Sequence, residues 1–188
     1  MTERMRRPQP PVVKSVEVAW TPEAAFRRFT AEIATWWPLR THSVAGARAR
    51  SVVFESHVGG RIYEIAADGA TSMWGTVLAW EPPHRVAFSF HPGRGEEMAQ
   101  PVEVRFVATA AGTRLELTHA GWEKLGRLAP FARRGYTVGW AYVLDLWAAR
   151  RGPLVVVTRG LERLLRVASR VRQAFRPRDR NAARAAPH

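Results

Sequence analysis

The chain has no cysteine, which excludes structural disulfides and thiolate chemistry. Its six histidines (His42, His57, His84, His91, His119 and His188) show no HxH or HExxH spacing, so no metal site is expected. No GxxxxGK[ST] loop is present to cradle nucleotide phosphates, and no cofactor is implied. No run approaches the roughly 18 apolar residues of a membrane-spanning helix. The opening MTERMRRPQPPVV is basic but lacks an apolar segment, so it does not read as a secretory signal. A cytoplasmic location is the expectation these absences leave. There is no internal repeat.

Acidic residues are scarce at one end only. From Arg150 to His188, eleven arginines face Glu162 and Asp179 alone, a local charge of +9 out of the total of +13. The preceding 149 residues are close to balanced, so any attraction to nucleic acid or anionic membrane belongs to the tail. Tryptophan is plentiful, with eight in 188 residues. Each aromatic side chain buries roughly 150–250 Å². Such a set must line a large core, a pocket or an interface.

The stretch Tyr136–Trp147 organises the chain. Tyr136, Trp140, Val143, Leu144 and Trp147 recur at helical spacing and predict one buried face of a helix from about Pro130 to Arg150. Gly139 beside Trp140 suggests a close approach to another surface. Most of what precedes alternates like β-strand. Val12–Trp20 reads as a first strand, and Thr21-Pro22-Glu23 as a helix start, with a capping hydroxyl, a pre-set φ and an acid at the positive end. That helix is expected to carry Phe26, Phe29 and Ile33 and to end at Trp36-Trp37-Pro38. Leu39–Arg50 is a polar, basic loop without core residues, expected to be mobile and to gate entry.

Six further strands follow around Val52–Phe54, Arg61–Ala66, Met73–Trp80, Val86–Phe90, Val102–Phe106 and Leu115–Leu117. Met73–Trp80 is apolar on both parities, with Trp74, Leu78 and Trp80 sharing one. The order of elements predicts an α+β fold with an antiparallel sheet. Beyond Gly152-Pro153, residues 153–176 predict an amphipathic basic helix, its apolar face running from Leu154 to Phe175. Residues 1–11 and 177–188 read as disordered.

Several motifs carry a resemblance. They are Phe26-x-x-Phe29-Thr30, Trp36-Trp37-Pro38, Phe54-Glu55 with Gly59-Gly60-Arg61-Ile62-Tyr63-Glu64, and Asp68-Gly69. Trp74-Gly75-Thr76-Val77, Trp80-Glu81-Pro82-Pro83, Gly112-Thr113, His119-x-Gly121-Trp122 and Gly139-Trp140 follow in order. Across residues 12–150 the chain resembles the SRPBCC helix-grip superfamily of START-like lipid-transfer domains and polyketide cyclases. Within it, the chain resembles bacterial homologues of the heat-shock-protein ATPase activator. The resemblance implies a curved antiparallel sheet wrapped around a long C-terminal helix, with a cavity between them. It does not imply ATP hydrolysis, because no nucleotide-binding motif is present. It is silent on the basic helix.

The aromatics Trp36, Trp37, Tyr63, Trp74, Phe88, Phe90, Phe106, Trp122, Tyr136 and Trp140 are the expected cavity lining. His91, His119 and Glu64 are the candidates for moving protons. Glu55 and His57, two apart on one strand face, are weaker ones. The leading reading is a non-enzymatic protein that binds a small hydrophobic or amphipathic ligand. A cyclase or dehydratase acting on a polyketide-like substrate is the second reading. The third is a co-chaperone-like interaction module. The basic helix would pack its apolar face on the body or on a second copy, lie on an anionic membrane, or meet nucleic acid or an acidic partner; a chaperone and a homodimer are the protein partners to expect.

Overall fold

The alternating segments become seven antiparallel strands in a computed structural model that describes residues 9–150. They are β1 (Val12–Val18), β2 (Ala49–Phe54), β3 (Arg61–Ala66), β4 (Thr71–Glu81), β5 (Arg85–Phe90), β6 (Gln100–Thr109) and β7 (Gly112–His119). Their order across the sheet is β1-β7-β6-β5-β4-β3-β2. From β2 to β7 each strand pairs with the next by a hairpin or loop return, while β1 closes on β7 from Val12↔His119 to Val18↔Thr113. The sheet is curled around the long helix α3 (Ala129–Trp147), which is the helix-grip arrangement. Among the described residues no helix is long and apolar enough to cross a membrane.

Period-two alternation sets which face is inward. Val102, Val104, Phe106, Leu115 and Leu117 are buried, while Glu103, Arg105, Arg114 and Glu116 point outward and pair among themselves and with Arg85. Each such apolar side chain contributes about 1.5–3 kcal/mol on burial. The exposed ion pairs add much less.

β4 is where the sheet bends. Ile62↔Gly75 is followed by Tyr63↔Met73, and Val77↔Phe88 by Ala79↔Ala87, so Trp74 and Leu78 are each an extra residue. Such bulges increase local twist. They also explain a departure from the alternating pattern, since Leu78 is half exposed rather than in line with buried Trp74. Gly75 permits the bend. A Cβ there would stand 1.7 Å from the Ser89 carbonyl oxygen.

The first helix, α1 (Pro22–Phe29), starts as its sequence dictates, with the Thr21 hydroxyl accepting from the Ala24 amide at 3.3 Å. It seats Phe26 and Phe29 on Phe106 at 5.3 and 5.9 Å. It does not run on to Trp36. Thr30 turns its hydroxyl back to the Phe26 carbonyl at 2.8 Å, and a separate one-turn α2 (Ile33–Trp36) follows.

The helix α3 buries Trp140, Val143, Leu144 and Trp147, four of the five residues its spacing singled out. Tyr136 is half-buried. Trp147 closes one end against Trp20 and Phe29. The helix stops at Trp147, short of Arg150, and Ala149 takes a positive φ of 54°. A 3₁₀ stretch, Trp122–Leu128, leads into it. Ahead of β1, the carbonyls of Pro10 and Pro11 accept from the Arg133 guanidinium, which ties residues 10–11 to α3. Of the N-terminal stretch 1–11 expected to be disordered, residues 1–8 lie outside the described residues, as do the expected basic helix 153–176 and the tail 177–188.

Candidate functional site

Between the concave sheet and α3 lies a cavity of about 820 Å³. Its apolar wall holds Trp37, Phe90, Tyr136, Trp140, Val143, Leu125 and Met98. Two loops rim it. One contributes Thr41, His42, Ser43 and Val44, and the other Pro92, Gly93 and Arg94. At the mouth stand Leu128 and Phe131, which are 68% and 83% exposed. A smaller hollow of about 350 Å³ lies between α1 and the β4–β5 turn and meets none of these residues.

The loop Leu39–Arg50 is a pinned wall, not a free flap. The Glu64 carboxylate, fully buried on β3, accepts from the Val44 amide at 2.8 Å, the Ala45 amide at 2.5 Å and the Trp74 indole at 2.8 Å. A carboxylate is an acceptor-only group and suits three donors. The Trp37 indole donates to the His42 carbonyl at 2.7 Å, and His42 lies 5.2 Å from the Tyr142 ring. Burial holds the His42 imidazole below its ordinary pKa, so it stays neutral at pH 7.

The opposite rim is a tight turn built by His91-Pro92-Gly93-Arg94. Proline and glycine occupy its central positions, and Gly93 has φ +67°, the pattern of a type II turn. The Arg94 amide donates to the His91 carbonyl at 2.9 Å, and His91 Nδ1 donates to the Arg94 carbonyl at 2.8 Å. A Cβ on Gly93 would come within 3.2 Å of the Val44 side chain, so the two rims touch.

His119 holds the third wall. The Trp140 indole N–H donates to His119 Nδ1 at 3.0 Å, which fixes the neutral tautomer with the proton on Nε2. Burial lowers its pKa to about 3. The Trp122 indole donates to the His119 carbonyl at 3.0 Å, and Tyr136 stands edge-on to the imidazole at 4.9 Å.

The three proton-transfer candidates therefore act as anchors. Glu64 holds one loop, His91 the other, and His119 orients Trp140. None of them lines the cavity. The Nε2 atoms of His91 and His119 are enclosed, without a partner among the described residues. Glu55 bonds to Arg61 on the outer side, and His57 is exposed.

Of the ten aromatics, Trp37, Phe90, Tyr136 and Trp140 line the cavity. Trp36, Trp74, Phe88, Phe106 and Trp122 are buried behind it as core. Tyr63 is a correction. It lies on the outer face of β3, with the Arg61 guanidinium 4.9 Å over its ring, because only the even positions Ile62, Glu64 and Ala66 point inward there. Sequence reasoning missed His42, Val44, Arg94, Leu125, Leu128 and Phe131. The Pro-Gly pair before Arg94 was a readable turn signal; the loop residues carried none.

The family model described as activator of Hsp90 ATPase homolog 1-like protein matches residues 19–149. No curated protein sequence matches the chain. Among solved structures, a protein of Mesorhizobium loti superposes with a TM-score of 0.56 at 20% identity, covering 74% of this chain and 94% of that one. The Aha1 dimer of Colwellia psychrerythraea superposes with a TM-score of 0.53 at 14% identity, covering 77% and 100%. At these identities the likeness is one of fold. An anthrahydroquino-γ-pyrone synthase shares 36% identity over 66% of this chain and 85% of its own, with a TM-score of 0.48. The family match runs from just after β1 through α3, and on it the chain belongs to the activator of Hsp90 ATPase homolog 1-like family, with the helix-grip fold.

Proposed function

We propose that the cavity binds a small, largely apolar or amphipathic molecule, and that this binding is the protein's function. The observation that carries the reading is the face α3 turns to the cavity. Ala132, Gly135 and Gly139 occupy it, leaving open space where larger side chains would fill a core. A Cβ on Gly135 would meet nothing within 4 Å, and one on Gly139 only His42 Nε2 at 3.8 Å. Gly139 therefore makes room and does not serve close packing. Each glycine costs the helix about 1 kcal/mol relative to alanine. Such a cost suits a site that needs volume. A volume of about 820 Å³ falls in the usual range for ligand pockets, roughly 300–1,000 Å³.

The test is titration with N-phenyl-1-naphthylamine, followed by its own fluorescence and by quenching of protein tryptophan. Wild type should bind it, and Gly135→Leu, which fills the space from a helix-compatible position, should weaken binding at least tenfold while keeping the fold. Equal binding by both proteins would reject the cavity as the site.

A cyclase- or dehydratase-like reading has one observation in its favour, and it concerns residues other than His91, His119 and Glu64. His42 and Tyr136 line the cavity, the first held neutral by burial and the second kept protonated by it. They offer a base and a hydroxyl donor. His42→Gln that keeps probe affinity but abolishes turnover of a polyketide-like substrate would favour this reading. Absence of turnover in wild type across such substrates would remove it.

A further inference from the structure

Among the described residues lining the cavity, Arg94 is the only arginine or lysine, and none is an aspartate or glutamate. Its guanidinium makes no ion pair with any described residue. Tyr136 lines the same cavity, and its hydroxyl makes no hydrogen bond with any described residue. The nearest acids in sequence, Glu96 and Glu97, do not line the cavity; the Glu97 carboxylate lies beside Gly95.

The turn that carries Arg94 is fixed from both sides. Its amide and carbonyl are both bonded to His91, whose side chain is 4% exposed. A buried imidazole thus sets where an unpaired guanidinium begins, at the rim of an apolar hollow. A guanidinium presents a planar fork of donors that fits carboxylate or sulfonate oxygens in pairs. Beside aromatic walls the attraction is less screened than in open water.

We infer that the cavity selects amphiphiles bearing one anionic group, with Arg94 and the Tyr136 hydroxyl taking the anion and Phe90, Trp37 and Trp140 the apolar body. This rests on the cavity being a ligand site and adds the charge of the ligand. The class is a monoanionic aromatic or aliphatic acid, in which the anion is a carboxylate, sulfonate or phenolate.

The experiment uses the full chain and two probes of one skeleton, 8-anilino-1-naphthalenesulfonate and the uncharged N-phenyl-1-naphthylamine, at 0.15 M salt so that general attraction to a basic protein is screened (a Debye length of about 8 Å). Wild type should bind the sulfonate at least tenfold more tightly than the neutral probe. Arg94→Gln should erase that preference, weakening the sulfonate about tenfold and the neutral probe less than twofold. Arg94→Lys should retain part of it. Both variants keep the turn, because Arg94 enters it through backbone atoms alone. Arg50→Gln, at the exposed position of β2 and outside the cavity lining, should change neither affinity.

Neutral-probe binding without sulfonate preference would overturn the anionic subsite and leave the cavity reading standing. Equal loss for both probes in Arg94→Gln would do the same, as would an effect of Arg50→Gln as large as that of Arg94→Gln. Failure of both probes to bind wild type would remove the cavity reading and this inference with it.

Discussion

At the scale of single residues, the buried polar groups hold the site's walls in place. His119 is neutral because burial penalises its charge and because its Nδ1 already accepts a bond from Trp140. Above pH 6.5 folded and unfolded chains both carry it neutral, and it adds no pH dependence. Below pH 6.5 the unfolded chain takes up a proton that the folded one refuses until about pH 3. Stability should therefore fall as pH drops through that window, by about 1.4 kcal/mol per pH unit from this group. His119→Asn retains an acceptor for the indole and removes the titration, so urea melts of the variant between pH 7 and 4 should show a shallower loss. Identical slopes would count against the assignment. Glu64→Gln faces a different difficulty. Its amide presents an N–H where the carboxylate met only donors, so about 1–3 kcal/mol of stability should be lost. Amide exchange at Val44 and Ala45 should quicken, and unchanged exchange there would show that Glu64 does not hold the loop.

At the scale of elements, α3 and the His91–Arg94 turn trade stability for shape. Gly139→Ala removes a helix-interior glycine where a Cβ makes only ordinary contact, and should raise stability by about 0.5–1 kcal/mol. It should also narrow the cavity and weaken the neutral probe. A lowered melting temperature would mean that the helix packs there more closely than described. Gly93→Ala should behave oppositely, because φ +67° strains an L-residue by about 1–2 kcal/mol and the new methyl presses on Val44. Calorimetric melting distinguishes the two signs.

At the scale of the whole molecule, the family core and the charge are separate. The matched region ends at residue 149, just before the arginine-rich stretch begins, and among the described residues the buried side chains run from β1 through α3. A chain ended at Arg151 keeps all eight tryptophans and should keep its near-ultraviolet spectrum, and its melting temperature should stay within about 5 °C of the full chain's, the shift expected from roughly 1 kcal/mol in a domain this size. A collapse of the transition would show that the core as described is incomplete.

Much of this was legible before any coordinates, for local reasons. Alternation with charged neighbours gave β6 and β7 their inward faces, Thr21-Pro22 placed the start of α1, and the spacing from Tyr136 to Trp147 set the buried stripe of α3. Each depends on residues a few positions apart, where covalent geometry dictates which side chains share a face. The positions of the bulges in β4 were not legible, since register depends on what β3 and β5 offer opposite. Nor were the roles of Glu64, His91 and His119, because a polar side chain reads alike as catalyst or anchor until its partners arrive from remote segments. For Glu64 those are the amides of Val44 and Ala45 and the indole of Trp74. The chain alone determined the elements and their apolar faces through short-range sterics and periodicity. Only the closing of the sheet under α3 decided which four of ten aromatics face open space, and set Arg94 at its rim.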